Sequence, residues 1–143
     1  MPGSNIDALR EEVGSCLTSF LTGVEVDADG DFSFGNGSAK IAVRVGEIEG
    51  VPRVSLFTVT NWSVPRTGAL NKYVAEWAQT RAFAAMSVYH NNDGTDNVNL
   101  SWQLFGANLD AQTLKDVVSV FALQADGVDD EIQSLFGGSK FLG

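Results

Sequence analysis

The most constraining feature of this sequence is the stretch from Ala39 to Trp62, where two apolar runs with β-strand patterning are joined by a short turn. The turn contains Glu49, Gly50 and Pro52, and Gly and Pro favour a reversal of the chain. A hairpin of two strands is only marginally stable in water and needs further strands or a packed helix. The remaining segments must therefore supply those elements.

The two runs differ in how many of their faces are apolar. In the first run one parity is apolar and the other is mixed, as Ile41 and Arg44 illustrate. In the second run Leu56 and Phe57 have opposite parity and both are apolar. Two interpretations stay open: a central strand covered on both sides, or a strand with one face left partly open for a partner.

Residue periodicity predicts three helices and further strands around this hairpin. Apolar spacing predicts a helix from Asn5 to Leu21, a second helix capped by Thr67 and a third capped by Asp110. Period-two alternation predicts one strand before the hairpin, which the Asp29-Gly30 turn leaves open to being a bent hairpin itself, and two more strands after the second helix. Gly127 leaves open whether the third helix bends or splits.

The predicted order is α-β-β-β-α-β-β-α, an α+β fold in which about five strands form an antiparallel sheet beside three helices. The length of 143 residues indicates one domain covering 1–143. Residues 139–143 follow two glycines, and we expect them to form a loose tail.

Charge and composition exclude several classes of partner. The net charge is −9 and the nine basic residues are scattered, so we expect neither nucleic acid nor a membrane surface as a partner. The sequence contains no apolar run long enough to span a bilayer and no signal-peptide pattern. Its single cysteine, Cys16, fits a reducing compartment, so we expect a cytoplasmic protein.

No cluster of residues suggests catalysis. His90 is the only histidine and is expected to be structural, and Cys16 lies on an apolar helix face. One histidine and one cysteine cannot assemble the usual zinc site. Asp27, Asp29 and Asp31 lack the glycine and glutamate spacing of a calcium loop. We therefore predict a protein that is not an enzyme and has no cofactor.

An acidic group of four residues lies on or near one turn of the third helix. Nothing in the flanking sequence indicates burial, so a solvated face is the preferred interpretation, with docking of a basic partner segment as the alternative. The group consists of Asp126, Asp129, Asp130 and Glu131.

Aromatic residues provide the best candidates for a contact surface. Trp77 and Trp102 lie on well-patterned apolar faces and are predicted to be in the core. A second set lies on the opposite strand parity and would line the other sheet face if helices cover only one. These candidate partner-binding residues are Phe57, Val59, Tyr89 and Phe105.

The order of elements in a small acidic chain resembles the type III secretion chaperone-like superfamily, which includes class I CesT/SycE-type chaperones and YbjN-type proteins. The segment Thr60-Asn61-Trp62, followed by a helix carrying Lys72, Tyr73 and Trp77, is similar to the corresponding part of YbjN-type sequences. The resemblance runs from Ile6 to about Phe136.

This resemblance implies a non-enzymatic, chaperone-like homodimer that holds an extended stretch of a protein or peptide client, with Tyr73 and Trp77 near the two-fold axis. Client side chains would enter apolar pockets while a sheet edge adds a strand. Two alternatives stay open. One is a YbjN-type regulatory or adaptor protein that binds one folded partner, and the other is a carrier of a small apolar ligand in a cavity between sheet and helix.

Overall fold

The computed structural model describes residues 2–80, 83–107 and 109–140, with side chains from residue 6 onward. Three helices and seven strands make up this part of the chain, which confirms the α+β class. The elements are α1 (Pro2–Phe20), β1 (Glu25–Val26), β2 (Phe32–Asn36), β3 (Ala39–Ile48), β4 (Val51–Pro65), α2 (Gly68–Thr80), β5 (Ala85–His90), β6 (Thr95–Phe105), α3 (Ala111–Phe136) and β7 (Ser139–Lys140).

The strands form one antiparallel sheet in the order β1-β2-β3-β4-β6-β5, and β7 pairs with β4 beside this path. The predicted count of five strands is too low because the first predicted strand is the β1–β2 hairpin. Gly30, with φ of +84°, lies in the turn of this hairpin. The second difference is β7, which lies in the predicted tail.

The hairpin of β3 and β4 forms the centre of the sheet. Only Glu49 and Gly50 separate the two strands, and both have positive φ, +49° and +80°. Two central residues with positive φ form the turn whose twist matches that of paired strands. Pro52 already belongs to β4, opposite Glu47.

The helices pack against one face of this sheet: α1 on β3, α3 on β4 and α2 on β5. The predicted caps are present, since Thr67 Oγ1 accepts a hydrogen bond from the Leu70 amide at 3.1 Å and Asp110 Oδ1 accepts one from the Thr113 amide at 2.7 Å. Gly127 does not split the last helix, since α3 is continuous from Ala111 to Phe136. No helix of the described residues is long and apolar enough to cross a membrane.

The predicted loose tail is wrong for its first two residues. Gly137 and Gly138 have φ of +87° and +82°, and this turn directs the chain back along β4. Lys140 pairs with Asn61 and Ser139 with Trp62, and Lys140 Nζ lies 2.7 Å from Asp130 Oδ1. Main-chain pairing and this ion pair hold the segment in place. The remaining tail residues, 141–143, lie outside the described part of the chain.

Candidate functional site

Cross-strand register divides the side chains of the sheet between two faces, because residues directly opposite each other point the same way. Val43 is opposite Leu56, which is opposite Trp102, and this set faces the helices. The alternate set forms what we call the open face. The open face consists of Ser33, Lys40, Ala42, Arg44, Arg53, Ser55, Phe57, Val59, Ser87, Tyr89, Asn97, Asn99, Ser101, Gln103 and Phe105.

The structure places all four candidate partner-binding residues on the open face. Phe57 is 44% exposed, Tyr89 64% and Phe105 72%, while Val59 is half-buried. In contrast, Leu56 on the helix-facing side is fully buried. Large apolar side chains therefore remain in contact with water on one side of an otherwise well-packed sheet.

Register also shows that these four residues do not form one patch. Phe57 and Val59 are neighbours on β4. Phe105 lies opposite Arg53 near the start of β4, and Tyr89 lies opposite Asn97 on the outermost strand. Serine, asparagine and glutamine side chains of β6 separate them. The open face thus has an apolar centre and two outlying aromatic rings.

A shallow groove surrounds that centre. Its apolar side chains, besides Phe57 and Val59, come from Val26, Ala42 and Trp62. Val26 is 62% exposed and Trp62 is 37% exposed. Glu25, Asp27 and Lys40 contribute polar groups at its rim. We call this the sheet groove.

The sequence did not reveal Trp62 as a groove residue because a bulge reverses the alternation of β4. Pairing with β6 shifts between Val59 and Asn61 and again between Asn61 and Val64. Thr60 and Asn61 are consecutive, yet both are buried, and Trp62 consequently points to the open side. An extra residue in one strand of an antiparallel pair has this effect. The residue types of Asn61 and Trp62 do not by themselves indicate a bulge.

Polar side chains of the open face are held in fixed positions by hydrogen bonds. Arg44 contacts both carboxylate oxygens of Asp31, with Nε–Oδ1 and Nη2–Oδ2 distances of 3.1 and 2.7 Å. Arg53 Nη1 donates to Gln103 Oε1 at 3.3 Å. The open face therefore offers apolar contact and ordered hydrogen-bonding groups. Those are the properties of a binding surface.

The sheet also has an accessible edge. β5 pairs with β6 on one side, and within the described ranges no strand pairs with its other side. Unpaired main-chain groups on an edge strand can accept an additional strand. Tyr89 projects onto the open face from this edge.

Both candidate dimer residues lie on α2, but they differ in accessibility. Trp77 is 5% exposed and belongs to the core of the single chain. Tyr73 is half-buried, with its ring 5.6 Å from that of Phe136 in an edge-on arrangement. The core position predicted for Trp77 is confirmed. A dimer contact at these two residues stays a prediction.

His90 contributes to a structural network around a buried carboxylate. Its Nδ1 lies 2.7 Å from Asp96 Oδ1, which also accepts a hydrogen bond from Arg66 Nε at 2.8 Å. Burial would raise the pKa of Asp96, but the hydrogen bonds and charges of His90 and Arg66 outweigh it, and the pKa is lowered. The structural role expected for His90 agrees with this geometry.

The sequence indicated a solvated face for the acidic group on α3, and this prediction is wrong for one of its residues. Asp129 is fully buried, and its Oδ2 accepts a hydrogen bond from Ser38 Oγ at 2.7 Å. Burial raises the pKa of Asp129 to about 6, against the effect of Ser38 and with a further contribution from Asp130. Ala125, Asp129 and Ile132 have the spacing of one helical face, which was the available signal.

A model of the family TY-Chap1, described as T3SS (YopN, CesT) and YbjN peptide-binding chaperone 1, matches residues 7–143. No curated protein matches the chain.

Three solved structures share the fold. The HopA1–SchA chaperone–effector complex contains a chain with a TM-score of 0.64 and 11% identity, covering 89% of this chain and 96% of that one. The ExsC–ExsE complex gives 0.56 and 13%, with coverage of 87% and 92%. The Yersinia pestis type III secretion chaperone SycH, in complex with a stable fragment of YscM2, gives 0.54 and 15%, with coverage of 82% and 96%.

Proposed function

Because this chain belongs to the family of T3SS (YopN, CesT) and YbjN peptide-binding chaperones, we propose that it holds an extended segment of a client polypeptide on its open face. The family confirms the prediction of a protein that is not an enzyme. The observation that carries the proposal is the exposure of Phe57 beside the fully buried Leu56 on the same strand.

The sheet groove supplies the apolar part of this proposed site. An extended segment presents its side chains alternately to two sides, so every second residue of the client would meet the surface formed by Val26, Phe57 and Trp62. Aromatic side chains are enriched where protein surfaces bind partners because they bury a large area with few rotatable bonds. The two outlying rings, Tyr89 and Phe105, would contact more distant parts of the client.

Main-chain hydrogen bonds would supply the rest of the affinity. The outer edge of β5 can add a strand from the client, and such pairing depends little on the client's sequence. The named chains of the similar solved structures were studied in complexes with other proteins. Those complexes support a protein or peptide client for this chain, and we propose a cytoplasmic location for the encounter.

We also propose a homodimer formed through α2. This helix contacts β5 at the border of the sheet, and Ala75 and Ala78 are exposed on it. Small residues allow two helices to approach closely. With Trp77 in the core, its role at the interface would be to support the helix from beneath, while Tyr73 lies at the margin. Light scattering combined with size-exclusion chromatography measures this state directly, and a monomer at micromolar concentration would contradict it.

Intrinsic fluorescence tests the proposed client site. The probe is a 12-residue peptide of alternating leucine and lysine, and the control peptide has serine in place of leucine. Binding in the sheet groove should shift the emission of Trp62 to shorter wavelength, because its indole leaves water. The Trp62→Phe variant should lose this shift, whereas Trp102→Phe should keep it.

Three results would contradict the proposal. The first is an equal response to the serine control peptide, which would show that only charge attracts the probe. The second is an unchanged response in Trp62→Phe. The third is displacement of an apolar dye by a fatty acid but not by the leucine peptide, which would favour the carrier alternative instead.

A further inference from the structure

A group of oxygen atoms lies on the side of the sheet away from the sheet groove, where α3 crosses the ends of β2, β3 and β4. One carboxylate oxygen from each of Asp126, Asp129 and Asp130 lies within 4.8 Å of the other two. Calcium binds oxygen at about 2.4 Å, so one ion can reach all three carboxylates. The spacing of three and four residues along the helix brings these side chains to one point.

The β2–β3 turn adds a hydroxyl oxygen to this group, and β4 lies beside it. Ser38 Oγ lies 2.7 Å from Asp129 Oδ2 and 3.3 Å from Asp126 Oδ1, and the Ser38 amide donates to the same Asp126 oxygen at 3.1 Å. Asn61, on β4, faces the same helical turn, where its Nδ2 donates to the Asp129 carbonyl at 3.0 Å.

Asp129 Oδ1, a buried oxygen of this group, has no hydrogen-bond donor in the described part of the chain, and Asn61 Oδ1 on the adjoining β4 is likewise buried without one. Both side chains are fully buried. A buried polar atom without a partner costs roughly 1–3 kcal/mol, and such atoms are rare in folded proteins. A cation is the kind of ligand that satisfies oxygen atoms lacking a donor.

The charge at this site also favours a cation. Lys140 Nζ lies 2.7 Å from Asp130 Oδ1 and brings one positive charge to the group. Three carboxylates therefore face one positive charge when all are ionised. Burial is the main cause that raises the pKa of Asp129 to about 6, with smaller contributions from the charges of Asp130 and Asp126 and against the hydrogen bond from Ser38.

We propose that Asp126, Asp129 and Asp130, with Ser38 and Asn61, form a calcium-binding site that joins α3 to the β2–β3 turn and β4. Asp130 is exposed and leaves a path for the ion. Water would complete the coordination, since calcium takes six to eight oxygen ligands. We expect a dissociation constant at the weak end of the calcium range, about 10⁻⁴–10⁻³ M, because affinity depends on the number of charged ligands and Asp130 is already paired with Lys140. This proposal is independent of client binding.

Thermal unfolding of the full chain after dialysis against EDTA tests the site. Addition of CaCl₂ at about ten times the dissociation constant should raise the melting temperature by about 3–5 °C, relative to NaCl of equal ionic strength. Asp129→Asn keeps an acceptor for Ser38 and should fold, but it should lose the calcium response. Calorimetric titration with CaCl₂ should show one site in the wild type.

Two further variants make the test specific. Lys140→Met removes a competing ammonium and should bind calcium at least as tightly as the wild type. Asp29→Asn changes the other acidic group, formed by Asp27, Asp29 and Asp31, and should keep the response. The proposal is overturned if the wild type shows no calcium response, if Asp129→Asn responds equally, or if Asp29→Asn abolishes the response.

Discussion

Phe57 and Leu56 are adjacent on β4 and point to opposite faces, so truncating each to alanine separates binding from folding. Leu56 is fully buried, and its truncation removes apolar burial and leaves a cavity. Such substitutions cost about 2–5 kcal/mol of the free energy of unfolding. Phe57 is 44% exposed and borders an open groove, so no closed cavity forms. Losing about half of the burial of a phenylalanine costs about 1 kcal/mol.

Binding should show the reverse order. If Phe57 contacts the client at the centre of the groove, Phe57→Ala should weaken binding of the leucine–lysine peptide at least tenfold, a loss of about 1.4 kcal/mol or more. Leu56→Ala should leave the affinity of the folded protein within about threefold of the wild type. Urea unfolding followed by tryptophan fluorescence gives the first quantity, and anisotropy of a labelled peptide gives the second.

If Phe57→Ala loses as much stability as Leu56→Ala, Phe57 is a core residue and not a binding residue. If Phe57→Ala keeps both its stability and full peptide affinity, Phe57 does not contact the client. Ser55→Ala, on the same face and strand, is a matched control that should change neither quantity by more than a small amount.

Other predictions concern stability, pH and assembly. Gly37→Ala should destabilise by about 1–3 kcal/mol in urea unfolding, because Gly37 has φ of +60° and an added Cβ would collide with the Asp126 carboxylate; wild-type stability would contradict this. Asp96→Asn should cost about 2–4 kcal/mol because it removes the buried partner of Arg66. The pKa of Asp96 is held below its ordinary value of 3.8. Its contribution to the free energy of unfolding is therefore present above pH 3.8 and is lost as the pH falls through the lower pKa of the folded state. Asp96→Asn should flatten this loss of stability in acid, and an unchanged pH profile would count against the network. Ala78→Arg should convert the proposed dimer into a monomer in light scattering that remains folded by far-UV circular dichroism, whereas a persistent dimer would exclude α2 as the interface.

Strand parity and helix capping were readable from the sequence because both depend on local rules. The alternation of Ile41 with Arg44 indicated which side of β3 is buried, and Asp110 caps α3 as its position predicted. The placement of Phe57 and Tyr89 on a face away from the core followed from the same parity, since side chains alternate along any regular strand.

The features that the sequence did not predict depend on contacts between distant segments. The bulge at Asn61 reverses parity and moves Trp62 into the groove, and its cause lies in pairing with β6. Burial of Asp129 requires the β2–β3 turn to approach α3, where Ser38 supplies a hydrogen bond. Pairing of Lys140 with β4 needs the reversal at the preceding glycines and an acidic partner on α3. The spacing of residues along the chain does not indicate any of these three contacts.

Site-specific photo-crosslinking shows which surface of the protein holds a client. A benzophenone side chain placed at position 57 on the open face, and separately at position 123 on the outer surface of α3, reports which surface the leucine–lysine peptide occupies. Phe57 is 44% exposed and Leu123 is 71% exposed, so both positions are accessible. We predict crosslinks from position 57 and none above background from position 123. Crosslinks from position 123 alone would show that the client lies on the helices, and the open face would then have no role in holding it.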